Sequence, residues 1–184
     1  SYPNNSFSSL YGGGILLYGI NCRFEMFGGN IAGNFAENGG GIASEYGDAY
    51  IRNGSIKGNR ATYYGGGMEV QSRGLGFVVS GGRIENNVVD RFHGGGIYAR
   101  SLDDDRMIAV EINGGSVSGN KVIGSSGEGG GIYALGCICK VTDGTISENE
   151  ANHGGGIYSI GGVVEICGGA IVSNRATDTD SHLG

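Results

Sequence analysis

Residues 154–174 read GGGIYSIGGVVEICGGAIVSN, and residues 129–149 have already read GGGIYALGCICKVTDGTISEN. Both stretches open with a glycine triplet followed by isoleucine and close with the pattern Gly-x-apolar-x-x-Asn. The stretch at residues 154–174 begins 25 residues after the start of the stretch at residues 129–149. A repeat of this length is typical of a solenoid, in which each unit buries its apolar residues only against its neighbours.

The two signatures alternate along the whole chain. Glycine triplets start at Gly12, Gly39, Gly65, Gly94, Gly129 and Gly154, at intervals of 25–35 residues. The closing asparagines are Asn34, Asn59, Asn87, Asn120, Asn149 and Asn174. We interpret both sets as structural corner residues. Glycine takes positive φ without steric cost, and asparagine tolerates the same region and can hydrogen-bond from coil to coil.

Between these corners apolar residues alternate with other residues, which is the period of a strand with one buried face. After the triplets the inward column is Ile15, Ile42, Met68, Ile97, Ile132 and Ile157. The column counted back from the asparagines is Met26, Ile51, Val79, Ile112, Val141 and Ile166. Further columns are Ile31, Ile56, Ile84, Val117, Ile146 and Ile171 within the asparagine motif, then Ala36, Ala61, Val89, Val122, Ala151 and Ala176.

The sequence therefore predicts an all-β fold, a right-handed parallel β-helix formed by residues 1–184 as a single domain. We expect about six coils of 25–35 residues, with three short strands per coil. The hand follows from the strong preference of parallel crossover connections.

The composition excludes several other classes of protein. The chain has 41 glycines but is 39% hydrophobic, and its glycines are clustered, so neither collagen nor a flexible linker fits. The net charge is -6 with scattered basic residues, which argues against nucleic-acid binding. The longest apolar run is far short of the roughly 20 residues of a membrane-spanning helix. We expect no cofactor and no membrane span in this segment.

The two signatures resemble the repeats of the polymorphic outer membrane proteins, whose passengers carry Gly-Gly-Ala-(Ile/Leu/Val) and Phe-x-x-Asn. The resemblance covers nearly the whole chain, but Gly here replaces the Ala of the first motif and Ile or Val replaces the Phe of the second. It implies a pectate-lyase-like β-helix that acts as a non-enzymatic adhesive rod in a secreted or cell-surface protein. The implied partner is a cell-surface receptor or a glycan.

The two termini raise the alternative of self-association. Phe7 falls in the Ala36 column, and Gly184 arrives where a seventh triplet could begin. Uncapped solenoid ends expose a sheet edge and apolar core. We therefore expect either a segment of a longer array or a filament subunit that stacks end to end.

Two sets of residues are candidate ligand-binding sites. Tyr98, Tyr133 and Tyr158 follow the last three Gly-Gly-Gly-Ile motifs at the outward position, where we expect an exposed aromatic ladder. Such a ladder either binds sugars or a partner, or only stabilises the sheet. The insertion at residues 101–107 carries Asp103, Asp104 and Asp105. These acids either bind Ca²⁺, act as catalytic acids or belong to a solvated loop.

A carbohydrate-active enzyme is the competing functional class, because polysaccharide lyases and hydrolases share this architecture. Such sites gather carboxylates and basic groups on one outward face. The outward row Glu25, Tyr50, Val78, Glu111, Lys140 and Glu165 does not show that pattern. We therefore expect no catalytic residues. We also expect no metal site, because the four cysteines lack metal-ligand spacing and are interpreted as unpaired thiols, with Cys137 and Cys139 pointing inward.

Overall fold

A computed structural model describes residues 10–73, 76–103 and 107–177 of the chain. In chain order the strands are β1 (Ile15–Tyr18), β2 (Arg23–Ala32), β3 (Phe35–Asn38), β4 (Ile42–Glu45), β5 (Asp48–Lys57), β6 (Arg60–Tyr64), β7 (Met68–Ser72), β8 (Gly76–Val79), β9 (Arg83–Glu85), β10 (Val88–Val89), β11 (Ile97–Ser101), β12 (Ile108–Ser118), β13 (Lys121–Val122), β14 (Ile132–Leu135), β15 (Cys137–Ser147), β16 (Glu150–Ala151), β17 (Ile157–Ile160), β18 (Val163–Ile166), β19 (Ala170–Val172) and β20 (Arg175–Ala176).

These strands form three parallel sheets, with one strand or strand pair from each coil in each sheet. The first sheet has the order β1-β4-β7-β11-β14-β17, and the second has the order β3-β6-β10-β13-β16-β20. The third has the order β2-β5-β8-β12-β15-β18, with β9 and β19 beside it. Every pairing is parallel and joins a strand to its equivalent in the next coil. The molecule is therefore a parallel β-helix of about six coils, as the repeat predicts.

The pairing register confirms the inward columns read from the sequence. Ile15 pairs with Ile42, Met26 with Ile51, and Ile31 with Ile56. The middle coils bury these rows completely, and the largest buried side chain is that of Phe77. The small residues after the asparagines form a separate cluster made of Ala61, Val89, Val122 and Ala151. Stacking thus creates a core that a single coil could not form.

The second and third strand segments of a coil merge wherever a glycine bulge lets the chain bend without breaking the ladder. The strands β2, β5, β12 and β15 run through both segments for 10 or 11 residues. The register shifts after Met26 and after Ile112, next to glycines with positive φ such as Gly29 (84°) and Gly115 (72°). Positive φ is the backbone state of a glycine-containing β-bulge.

The corner interpretation of the glycine triplets is confirmed at the first glycine of each triplet. The φ angles are 61° at Gly39, 74° at Gly94, 67° at Gly129 and 57° at Gly154. The middle glycine has a different role, because a Cβ at Gly40 would overlap the carbonyl oxygen of Arg60. Two backbones approach each other there more closely than any side chain allows.

The asparagine column differs in one respect from the prediction. The left-handed residue is the one before each asparagine, as at Gly58 (59°), Asn86 (55°) and Glu148 (57°), and not the asparagine itself. The predicted hydrogen bonding from coil to coil is confirmed. The backbone N–H and Nδ2 of Asn87 both donate to Oδ1 of Asn120, at 3.0 and 2.9 Å. The second Nδ2 hydrogen of each asparagine reaches a carbonyl in the preceding coil, as from Asn120 to Ile84 at 2.9 Å.

Candidate functional site

The tyrosines after the glycine triplets form a stacked ladder on the outer side of the first sheet. Tyr98 pairs in register with Tyr133, and Tyr133 pairs with Tyr158. Their ring centroids lie 5.2 and 5.6 Å apart, with interplanar angles of 5° and 10°. The predicted exposure of the ladder is wrong, because Tyr98 is 6% and Tyr133 5% exposed, and Tyr158 is half-buried.

The ladder is covered by the residues that immediately precede the glycine triplets. These residues form a row of parallel bridges: Tyr11, Asn38, Tyr64, His93, Glu128 and His153. Each covering ring lies on a tyrosine of the following coil. Tyr64 lies 4.7 Å from Tyr98, and His93 lies 4.4 Å from Tyr133 at an angle of 12°. The sequence signal for this covering layer is the set of aromatic residues before the glycine triplets, to which the sequence pattern alone assigned no role.

Burial keeps the phenols of the ladder in their neutral form. It raises the pKa of Tyr133 to about 12 and also raises the pKa of Tyr98. The pKa of Tyr158 is raised mainly by a hydrogen bond to Glu128. Burial lowers the pKa of His93. The nearby Glu128, whose Oε2 lies 3.3 Å from the His93 Nδ1, partly offsets this decrease. The ladder therefore acts as an apolar, aromatic layer near neutral pH.

A buried acid, Glu69, occupies the same outward row as the tyrosines. It lies between Ala43 and Tyr98 in the register and is 1% exposed. Its Oε1 accepts a hydrogen bond from Gln71 Nε2 at 2.7 Å, and its Oε2 has no hydrogen-bond partner within the described ranges. Burial raises the pKa of Glu69 to about 7, against an opposing effect of the Gln71 hydrogen bond. The sequence reading did not single out this residue.

The aromatic layer reaches the surface at Tyr63 and Phe92. These rings stack at 5.6 Å and 21°, and Phe92 also contacts Tyr64 at 5.6 Å. Phe92 is 40% exposed, and the Arg91 guanidinium lies 5.9 Å from the centroid of the Tyr63 ring. We call Tyr63, Arg91 and Phe92 the aromatic surface. It is the exposed part, on the outer face, of an aromatic stack that continues inward to the buried tyrosines.

A groove of about 240 Å³ adjoins the aromatic surface. It is lined by Asp90, Arg91, Phe92, Gly124, Ser125 and Ser126. The Asp90 carboxylate is held by Arg60, with Nη2 2.7 Å from Oδ1 and Nε donating to Oδ2 at 3.1 Å. The groove thus combines an exposed ring, an oriented carboxylate and two hydroxyl groups.

The insertion between β11 and β12 borders a second cleft, of about 310 Å³. Its lining comprises Arg100, Ser101, Asp103, Met107, Leu135, Gly136, Ile160 and Gly161. The N–H of Asp103 donates to Ser101 Oγ at 3.3 Å, which shapes the start of the insertion. Asp104 and Asp105 lie outside the described residues. Among residues 10–73, 76–103 and 107–177 no group of three His, Cys, Asp or Glu side chains is placed to hold a metal ion.

The charged residues of the outer rows form ion pairs between coils. The pairs include Lys140 with Glu165, whose Nζ and Oε2 are 3.6 Å apart. Arg52 Nη2 lies 2.7 Å from Glu25 Oε1, and this contact together with Arg23 lowers the pKa of Glu25. Exposed pairs of this kind contribute roughly 0–1 kcal/mol each to stability.

The expectation of buried thiols is confirmed for Cys137 and Cys139 but is wrong for Cys167, which is exposed, and Cys22 is half-buried. Cys137 and Cys139 are buried in the core, and all four cysteines are free thiols. Burial raises the pKa of Cys137 to about 11 and that of Cys139 to about 12. Neither thiol is therefore activated as a nucleophile.

No protein-family model matches this chain, and comparison with curated proteins and with solved structures finds no match. In the described part of the chain, no helix has the length and apolar character required to cross a membrane.

Proposed function

We propose that this chain is a non-enzymatic adhesive rod of a secreted or cell-surface protein, built like the repeats of the polymorphic outer membrane proteins. In this proposal it binds a receptor or glycan through its outer face. The observation that carries the proposal is the aromatic surface of Tyr63, Arg91 and Phe92. Aromatic and arginine side chains are the residues that contribute most to binding energy at protein surfaces.

The way these rings are held supports a binding role. Phe92 is 40% exposed although it contacts Tyr63 and Tyr64, so it cannot turn inward without breaking the stack. A ring that is already fixed loses little conformational entropy when a partner covers it. Tyr64 in turn lies 4.7 Å from the buried Tyr98, so the aromatic surface is connected to the first sheet by ring contacts.

The charge arrangement supports a role other than catalysis. Carboxylates of the outer rows, such as Glu25 and Glu165, lie against basic side chains at 2.7 and 3.6 Å. A glycosidase needs two carboxyl groups that flank one bond, with one pKa raised for proton donation. Glu69 has a raised pKa but is 1% exposed, so it cannot reach a polysaccharide.

The test compares cell-surface and glycan-array binding of the protein with binding of a Tyr63→Ser, Phe92→Ser variant. We expect the affinity to fall at least about tenfold, because exposed anchored rings dominate such contacts. Phe35→Ser is the matched control, since Phe35 is 58% exposed on the first coil and lies outside the stack. Circular dichroism checks that each variant is folded. Equal binding by the double variant and the wild type would refute the proposed surface.

End-to-end self-association is the second candidate function, and the last described coil favours it. Its inward residues Val164, Ile166 and Ile171 are 46, 52 and 41% exposed, whereas their equivalents one coil earlier, Cys139, Val141 and Ile146, are fully buried. The asparagine ladder also has a direction, because each Oδ1 accepts from the asparagine of the preceding coil. A second copy stacked head to tail would extend this ladder and cover the exposed row.

A further inference from the structure

The groove lies beside Phe92, at the end of an aromatic row that the next coil does not continue. Backbone hydrogen bonds align the residues that precede the bridge row: His93 N donates to Tyr63 O at 3.1 Å, Glu128 N to Phe92 O at 3.2 Å, and His153 N to Gly127 O at 3.1 Å. Tyr63, Phe92 and Gly127 are therefore successive members of one row. Tyr63 stacks on Phe92, and the next coil offers only a glycine.

Gly127 could not carry a ring even if the sequence changed. A Cβ at this residue would overlap Cγ1 of Val122, a buried member of the small-residue row. Gly127 is therefore buried, and the side of the groove opposite Phe92 is formed by Gly124, Ser125 and Ser126.

The opposite wall of the groove is a loop that the fourth coil adds. Three residues separate Val89 from His93, whereas five separate their equivalents Val122 and Glu128. The extra residues place Ser125 and Ser126 on the rim of the groove.

This loop is fixed in its position. Gly127 N donates to Gly124 O at 2.9 Å, and Asn152 Nδ2 of the next coil donates to Ser125 O at 2.7 Å. A Cβ at Gly124 would overlap the carbonyl oxygen of Arg91, so the loop lies directly against the third coil. The groove is preformed, which lowers the entropic cost of binding.

We propose that this groove binds the pyranose ring of a glycan, with one face of the sugar stacked on Phe92. This assignment rests on the proposed outer-face binding and names its ligand class. The C–H groups of a sugar face meet the negative face of an aromatic ring, as other weakly positive groups do. The hydroxyls of the sugar meet the Asp90 carboxylate, which Arg60 contacts, and the hydroxyls of Ser125 and Ser126.

The size and polarity of the groove fit one sugar unit. Its volume of about 240 Å³ lies below the roughly 300–1,000 Å³ of sites for drug-sized ligands. A purely apolar partner would leave the two hydroxyls of the rim without hydrogen bonds, which disfavours such a partner. A sugar satisfies these groups and also covers the ring.

The experiment is a titration of the ¹⁵N-labelled chain with methyl glycosides of glucose, galactose, mannose and N-acetylglucosamine, followed by amide chemical shifts. We expect saturable shifts, for at least one glycoside, confined to Phe92 and the loop at residues 124–127. Phe92→Ala should weaken this binding at least about tenfold, whereas Phe92→Tyr should retain it, because the stacking face is the same. Phe35→Ala is the control and should bind as the wild type does.

A second variant tests the groove without touching the aromatic stack. Ser125→Ala combined with Ser126→Ala should weaken glycoside binding several-fold, because it removes two hydrogen-bonding groups. The sugar assignment is overturned if no glycoside shifts the loop amides, or if Phe92→Ala binds like the wild type. If Tyr63→Ser, Phe92→Ser abolishes cell-surface binding and the glycosides neither bind nor compete, the sugar assignment fails and outer-face binding stands. If a glycoside saturates the groove but cell-surface binding is unchanged in the double variant, the assignment stands and the adhesive function fails.

Discussion

At the scale of single residues, Glu69 is the group whose behaviour depends most on its surroundings. Its carboxyl lies among aromatic rings with one oxygen bonded to Gln71 and the other without a partner in the described ranges. Burial raises its pKa in the folded state from 4.5 to about 7. The unfolded chain therefore loses this proton at lower pH than the folded chain does. The contribution of Glu69 to stability therefore falls as the pH rises from about 5 to 8, since at this site the folded state binds more protons in that window.

Glu69→Gln should remove this dependence on pH. The quantity to compare is the free energy of unfolding of the variant minus that of the wild type. This difference should be larger at pH 8 than at pH 5 by an amount on the order of 3 kcal/mol, because each pKa unit corresponds to about 1.4 kcal/mol. Urea unfolding at the two pH values measures the change. The cost of placing a second amide group in this site is the same at both pH values, so it cancels in the comparison.

The control for this measurement is Glu165→Gln on the exposed outer face, where a carboxyl pairs with Lys140 near the surface. Its effect on stability should differ little between the two pH values. A Glu69→Gln effect that is the same at pH 5 and pH 8 would show that the acid is not responsible for the pH dependence.

At the scale of structural elements, the asparagine ladder links the coils at their corners. Asn59, Asn87, Asn120 and Asn149 are at most 1% exposed, and each uses its amide fully. A buried donor or acceptor without a partner costs about 1–3 kcal/mol. The ladder therefore makes the corners intolerant of substitution.

Asn120→Ala should destabilise the protein by roughly 3 kcal/mol or more, because it leaves two Asn87 donors and the Ile84 carbonyl without partners in the core. Asn34→Ala is the matched change in the first complete coil, where the asparagine is only half-buried. It should cost about 1 kcal/mol. Chemical unfolding of both variants measures the difference, and equal costs would argue against a cooperative buried ladder.

At the scale of the whole molecule, the stability of each coil depends on a neighbour on both sides. The coils in the middle bury their inward rows completely, but the last described coil leaves Ile166 52% exposed. Burial of apolar surface is worth roughly 25 cal/mol per Å². A further coil, from the same chain or from a second copy, would therefore be stabilised by covering this row of half-exposed aliphatic side chains.

We expect the protein to sediment as a series of species whose size increases with concentration. Ile166→Lys should reduce the association constant at least about tenfold, because a charge would be buried between two coils. Ile123→Lys is the control, since Ile123 is 54% exposed and lies in a middle coil, away from both ends of the stack. A single sedimentation coefficient over a wide concentration range, for wild type and both variants, would contradict end-to-end stacking.

The sequence allowed the fold to be predicted in detail because the pattern is local and repeated. The register that joins Ile15 to Ile42 and Phe24 to Ala49 follows from aligning the repeats. Glu69 and Phe92 could not be found in this way. Both lie at positions where the repeat has no common residue type, and their properties come from side chains of neighbouring coils.

The amino-acid pattern by itself determined the parallel stack of coils, its inward rows, its glycine corners and its unpaired inward cysteines. These features depend on residue spacing, and spacing is visible in one dimension. Only the tertiary structure decided that Tyr98 and Tyr133 are covered and that Phe92 is exposed. The physical reason is that the covering residue of one coil lies on the outward residue of the next. Exposure on the outer face is therefore set by a pair of residues from different coils.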